Sequence, residues 1–217
     1  MIKDFINLVY PNYCAGCNSI LSISEKGICS SCWIDLKAFK NKNEISFFGR
    51  EIVQNEIYAF EFSKNDIIQK IIHNIKYNSN KDAAFVLGVD LGKRILNLNK
   101  NIDVIIPVPV SKLKRKKRGF NQSEVIALGV NKILKKCMLN NYLTRSNNLK
   151  SQIYSSRFER FKNVENEFST SNKLKPNLNV LIVDDVVTSG ATINSCINAF
   201  QQKNINITIG ALAAKII

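Results

Sequence analysis

Asp184 and Asp185 follow an apolar run, Val180-Leu-Ile-Val183, and come just before a small hydroxyl-bearing stretch, Thr188-Ser-Gly-Ala-Thr192. These residue types suit two halves of one ligand. A tight turn that opens a helix aims several backbone N–H groups and the positive end of the helix dipole at one point, which favours a phosphate. Gly190 lets the backbone come close to the anion, and the hydroxyls of Thr188, Ser189 and Thr192 add donors. The two carboxylates would repel a bare phosphate. Their use is therefore to accept hydrogen bonds from sugar hydroxyls, with or without a divalent cation nearby. Phosphate on one side and a diol on the other describes a ribose 5-phosphate. The stretch is not a Walker loop, because no Gly-Lys-Ser/Thr follows a glycine at the required spacing.

The elements that must position these groups are legible nearby. Four apolar residues in a run too short for a helix predict a strand buried on both faces, as in a parallel sheet, ending at the aspartates. Ile193, Ile197 and Phe200 recur at helical spacing and predict a helix that starts at the turn.

A second chemical constellation lies near the N-terminus. Cys14-Ala-Gly-Cys17 and Cys29-Ser-Ser-Cys32 are two C-x-x-C knuckles separated by eleven residues. That is zinc-ribbon spacing, and four thiolates close a tetrahedral structural site that leaves no open position for catalysis. A unit this small cannot fold on its core alone, so the metal is expected to supply its stability, and chelation to unfold it before the rest. Cys137 and Cys196 read as core residues.

The formal net charge is +14, from 31 Lys plus Arg against 17 Asp plus Glu, and it is unevenly spread. Between Lys112 and Lys162 there are 14 basic residues and only Glu124 and Glu159 as acids, so this segment holds +12 and the remainder +2. Concentration of that kind points to an anionic partner. Lys112, Lys114, Arg115, Lys116, Lys117 and Arg118 follow a second buried strand, Asn101 to Val110, at the edge where open α/β sheets take ligands. Some of these lysines read equally as a solvated run.

Elsewhere, Glu44 to Ser63 reads as a hairpin or two short strands, and Cys137 to Leu143 and Ile205 to Ala214 as further strands, the last one alternating. Helices are predicted on Ile67, Ile68, Ile71, Ile72 and Ile75, on Ala83 through Leu98, and on Val125 through Val130. His73, the only histidine, points off its helical stripe. Lys76 and Tyr77 at that helix end read either as ligand-facing or as a snorkelling lysine and a capping aromatic. Phe120 and Tyr154 read either as stacking or as packing aromatics. Thr144 to Ser171 is a basic stretch without periodicity. The N-terminal apolar run is too short for a signal peptide and no stretch is long enough to cross a membrane, which places the protein in the cytoplasm.

The acidic pair and its hydroxyl turn resemble the phosphoribosyl diphosphate (PRPP) loop of type I phosphoribosyltransferases. Nearly the whole chain resembles the ComF family, phosphoribosyltransferase-like proteins linked to bacterial competence. The resemblance rests on Val9-Tyr10-Pro11 before the knuckles, on Pro107-Val-Pro109 with Arg118-Gly-Phe-Asn-Gln122, and on Val183-Asp-Asp-Val186 with Gly190-Ala-Thr192. In the basic stretch Gln152, Ser156, Arg157, Arg160, Asn163, Val164 and Phe168 fall at the family's positions, while Leu149 and Ser155 depart from its pattern.

The resemblance implies an α/β fold: a type I phosphoribosyltransferase-like, mostly parallel sheet flanked by helices in residues 41–217, with a zinc-ribbon module in 1–40. It implies a PRPP loop formed by Asp184, Asp185, Val186, Val187, Thr188, Ser189, Gly190, Ala191 and Thr192, the two aspartates being the catalytic candidates. The turn after Ile106 becomes the pyrophosphate loop, with Arg115, Lys116, Lys117 and Arg118 meeting pyrophosphate or DNA. Cys14, Cys17, Cys29 and Cys32 hold structural zinc, and Mg²⁺ accompanies PRPP. Two functions follow: a competence protein that binds PRPP and single-stranded DNA beside DNA-uptake proteins, or a transferase acting on a small nitrogenous or nucleotide-like acceptor.

Overall fold

Continuous apolar runs make the sheet and helical stripes cover it. The computed structural model describes residues 11–40, 48, 51–98, 100–146, 167–171, 174–200 and 204–215. In chain order the elements are α1 (Ser30–Ile34), β1 (Val53–Glu61), α2 (Ile67–Tyr77), α3 (Lys81–Asn97), β2 (Val104–Pro107), α4 (Lys112–Arg118), α5 (Gln122–Leu134), β3 (Cys137–Met138), β4 (Leu143–Arg145), β5 (Phe168–Thr170), β6 (Asn179–Val187), α6 (Ala191–Ala199) and β7 (Asn206–Ala214).

Five strands form one sheet in the order β1-β7-β6-β2-β3, and every pairing is parallel. β4 and β5 form a separate antiparallel ribbon. A central parallel strand is covered on both faces, so β6 and β7 are buried along nearly their whole length and not on alternate residues. One face packs Leu181, Val183 and Leu212 against α2, α3 and α5; the other packs Val180, Ile182 and Ile207 against α6. α3 and α5 approach so closely that a Cβ at Gly88 would meet the Ile126 carbonyl at 2.2 Å, and one at Gly129 the Phe85 carbonyl at 2.2 Å.

Several expectations change. Among the described residues the segment before Ser63 contributes one strand, β1, paired with β7; residues 41–47 and 49–50, where the rest of the expected hairpin falls, lie outside the described residues. The predicted strand at Cys137 to Leu143 is two elements, β3 in the sheet and β4 in the ribbon. Cys196 is buried, but Cys137 is exposed on the edge strand. Most of the basic stretch, including Leu149, Gln152, Tyr154, Ser155 and Arg157, also lies outside the described residues, although Phe168 is buried in β5.

The four-cysteine unit is joined to this core. Cys14, Ala15, Leu21, Ile28, Cys32 and Leu36 belong to the same apolar cluster as Ile68, Ile71, Ile72 and Ile75 of α2. Asn74 of α2 donates to the Ala15 carbonyl at 2.7 Å, and Asn80 reaches the Tyr13 carbonyl at 3.5 Å.

Candidate functional site

β6 does not stop at the aspartates; it runs on to Val187, pairing Asp184 with Ala211 and Val187 with Ala214 of β7. Asp184 and Asp185 are therefore ladder residues, 7% and 5% exposed. Buried carboxylates need partners. Asp184 Oδ1 accepts from the Ser123 hydroxyl at 3.0 Å and from the Asp185 N–H at 2.8 Å. Asp185 Oδ2 accepts from Gln122 Nε2 at 3.1 Å and pairs with Lys76 Nζ at 3.0 Å. Burial is the main reason the Asp184 carboxyl is pushed from the usual 3.8 up to about 7, and the adjacent Asp185 charge adds to it. The Asp185 N–H, Ser123 and Lys76 pull the other way.

Past β6 the turn takes the expected form. Thr188 and Ser189 are exposed, and Gly190 has φ +72 at the N-cap of α6 with no side chain capping the helix. That backbone favours glycine, and a Cβ there would also strike the Phe48 ring at 2.9 Å. The first N–H groups of α6, at Ala191 and Thr192, have no intrahelical acceptor and face outward with the positive dipole end. Val186 and Val187 belong to the strand, the first half-buried and the second buried.

The basic run, read from sequence as a charged entry to the next helix, is a helix of its own. Ser111 caps α4 by accepting from the Lys114 N–H at 3.3 Å, and Gly119 at φ +77 ends it. None of its residues is buried, so Lys116 and Lys117 face solvent. Arg115 grips Glu124 through both guanidinium nitrogens at 3.3 Å. Arg118 lies over the Tyr77 ring at 5.5 Å, and its carbonyl accepts from Ser79 at 3.2 Å. The basic helix thus abuts the end of α2, where Lys76 reaches the acid pair. Asn121 ties the turn after β2 to α5, donating to the Val108 carbonyl at 3.0 Å while capping Ser123 at 3.1 Å.

Sequence reasoning left Lys76 undecided and gave no role to Gln122 or Ser123. Their partners lie far along the chain, so only Asn121 as a helix cap could have placed Gln122 and Ser123 at a helix start. Among the described residues, Gln122 Oε1 is the buried side-chain oxygen left without a hydrogen-bond partner. An orphaned acceptor beside two carboxylates suits a donor or cation brought by a ligand.

The second site is the cysteine cluster. Sγ atoms of Cys14, Cys17, Cys29 and Cys32 lie within 4.8 Å of one another, and Cys17 and Cys29 are 3.7 Å apart. A tetrahedron with Zn–S near 2.3 Å has an edge of about 3.8 Å. The N–H groups of Gly16 and Cys29 point at Cys14 Sγ at 3.3 and 3.2 Å, and that of Cys32 at Cys29 Sγ at 3.5 Å, as in thiolate knuckles. The donor set fits zinc.

A parallel α/β sheet whose central strand delivers an acid pair, then a hydroxyl turn and a helix start, with four clustered cysteines at one end, is the arrangement that the phosphoribosyltransferase-like resemblance implies. The chain is 26% identical over 209 residues to competence protein F of Haemophilus influenzae, covering 83% of this chain and 87% of that protein. It is 25% identical over 208 residues to the DNA utilization protein YhgH of Salmonella typhi, covering 86% and 89%. Against competence protein ComFC of Bacillus subtilis it is 25% identical over 147 residues, 65% of this chain but 57% of that protein. The names of these competence proteins agree with the resemblance that the motifs carry.

No protein-family model matches the chain. Among solved structures, it is similar to the allosteric regulatory enzyme of purine biosynthesis with TM-score 0.40 and 19% identity, over 59% of this chain and 26% of that one. The adenine phosphoribosyl transferase of Trypanosoma brucei gives TM-score 0.37 and 13% identity, over 72% and 83%. Among the described residues no helix is long and apolar enough to cross a membrane.

Proposed function

We propose that this protein binds PRPP with Mg²⁺ at the Asp184 to Thr192 segment and single-stranded DNA on its basic surface, as a competence-related factor working beside DNA-uptake proteins. The observation that carries the reading is the buried acid pair set one turn from an exposed hydroxyl loop and an uncapped helix start. Thr188, Ser189 and the N–H groups through Thr192 hold the 5-phosphate. Asp185 and Asp184 accept the ribose hydroxyls, and Lys76, released from Asp185 as the diol arrives, turns its charge to the anionic end of the ligand. Two carboxylates and the free Gln122 oxygen form an oxygen-only donor set suited to a hydrated Mg²⁺, which would neutralise the diphosphate as it leaves. Arg115, Lys116, Lys117 and Arg118 supply positive charge near the leaving group.

Calorimetry with PRPP and Mg²⁺ tests the binding step. The Asp184→Asn, Asp185→Asn double variant should bind at least tenfold more weakly, and unchanged affinity removes the assignment. Asparagine is the substitution of choice because both side chains are buried, so alanine would disturb the core as well. Pyrophosphate release measured with and without single-stranded DNA then separates the roles: release without DNA favours an enzyme acting on a small acceptor.

Binding of a thymidine oligonucleotide should fall steeply with salt, because each neutralised phosphate contributes about 0.7 to the logarithmic slope. Replacing Arg115, Lys116, Lys117 and Arg118 by glutamine should flatten that slope by about 2 to 3. A salt-independent affinity would show that the charge has another purpose.

A further inference from the structure

His73 and Tyr77 are four residues apart on α2 and share one face of it. Their rings stand 4.6 Å apart, tilted by 42°, and Arg118 of α4 lies over Tyr77 at 5.5 Å. The series is at the surface: Tyr77 is 55% exposed and His73 is exposed as well. At its other end His73 and Lys70 line a groove of about 340 Å³ with Gln69, Asn74 and Gly16. The apolar stripe of the helix, Ile68, Ile71, Ile72 and Ile75, is spent on the core and does not include these rings. Packing therefore gives no account of them. Phe120, the described aromatic first weighed for stacking, is buried, with Lys81 over its ring.

The strip has what unpaired bases require: surface aromatic rings in series, with a lysine at one end and a guanidinium, itself able to stack on a base, at the other. Lys76, the neighbour of Tyr77, reaches Asp185 at 3.0 Å, so the strip also borders the acid pair. We infer that Lys70, His73, Tyr77 and Arg118 form a stacking platform for the bases of single-stranded DNA, with α4 tracking the phosphates, and that the strand passes the mouth of the acid-pair site. Duplex DNA, whose base faces are stacked on one another, is not a ligand for it. This rests on the single-stranded-DNA reading above and names where that ligand lies.

The test is fluorescence anisotropy of the full chain with a fluorescein-labelled 20-mer of thymidine across a salt series. Tyr77→Ala should lose about tenfold in affinity with the salt slope unchanged, because base–aromatic stacking is lost and no cation is removed. Tyr77→Phe should bind as the wild type does. An abasic 20-mer should bind the wild type about tenfold more weakly, and Tyr77→Ala should weaken that complex no further. A Tyr77→Ala affinity within twofold of wild type, with its unfolding midpoint intact, overturns the platform while leaving DNA binding in place. Equal losses on abasic and thymidine strands also overturn it. Failure of the wild type to bind the 20-mer at low salt removes the DNA reading and the platform together.

Discussion

Asp184→Asn should make the free protein more stable at pH 8, and Asp185→Asn, one residue on, should make it less stable. Asp184 sits in the ladder of β6 with its carboxyl raised from 3.8 to about 7, chiefly by burial. An acid whose folded value is raised contributes stability that is fully present below its unfolded value and is lost as pH rises through the folded one. The window here is pH 4 to 7, and at about 1.4 kcal/mol per tenfold change the loss is on the order of 4 kcal/mol. Asparagine keeps the acceptor for Ser123 and has no proton to lose. The variant's stability should therefore be nearly flat from pH 4 to 8, and its Tm at pH 8 should rise by several degrees.

Asp185 has the opposite role, because Lys76 and Gln122 both direct hydrogens at it. Neutralising it strands a partly buried ammonium, at about 1 to 3 kcal/mol. Thermal unfolding across pH, without Mg²⁺, checks both. Parallel pH profiles for wild type and Asp184→Asn would show that Asp184 is ionised at little cost. The gain in stability should come with weaker PRPP binding, since a strained carboxylate relieved by ligand is worth more to function than to the fold.

The parts of this site that sequence revealed are those whose cause is local. Val180 to Val183 reads as a buried strand because no partner is needed to see it, and Gly190 reads as a turn because its neighbours are small and hydroxylated. The strand's true end was hidden for a physical reason. Aspartate is disfavoured in strands, and what overrides that preference is Ser123, Gln122 and Lys76, more than sixty positions away along the chain. α4 escaped notice because it has no apolar stripe, although Ser111 and Gly119 mark its ends. The alternation seen in β7 was an accident of residue size: its alanines and glycine are as buried as its isoleucines.

Stripping zinc from the four-cysteine site should weaken the whole molecule, and not the module alone. The expectation from spacing was a module that unfolds first, but Cys14, Ala15, Leu21, Ile28 and Cys32 share one apolar cluster with α2. Structural zinc contributes about 10 kcal/mol in small modules, against a total stability of about 5 to 15 kcal/mol for a domain. The chelated chain is therefore at the margin of folding. Trp33, the only tryptophan, follows Cys32 and meets Phe60 of β1 edge-on at 6.5 Å, so its emission reports the joint between module and sheet. Chelation should shift that emission to the red and lower the Tm of the helical signal in one transition. It should also weaken PRPP binding, because Asn74, held by the Ala15 carbonyl between the first two cysteines, is two residues from Lys76. Metal analysis should find one zinc per chain. Cys32→Ser should reproduce the chelated state, while Cys137→Ser, on the exposed edge strand, should not. A red shift with an unchanged transition for the rest of the molecule would mean that the contacts between Asn74 and the knuckle transmit nothing, and that the acid pair is set by the sheet alone.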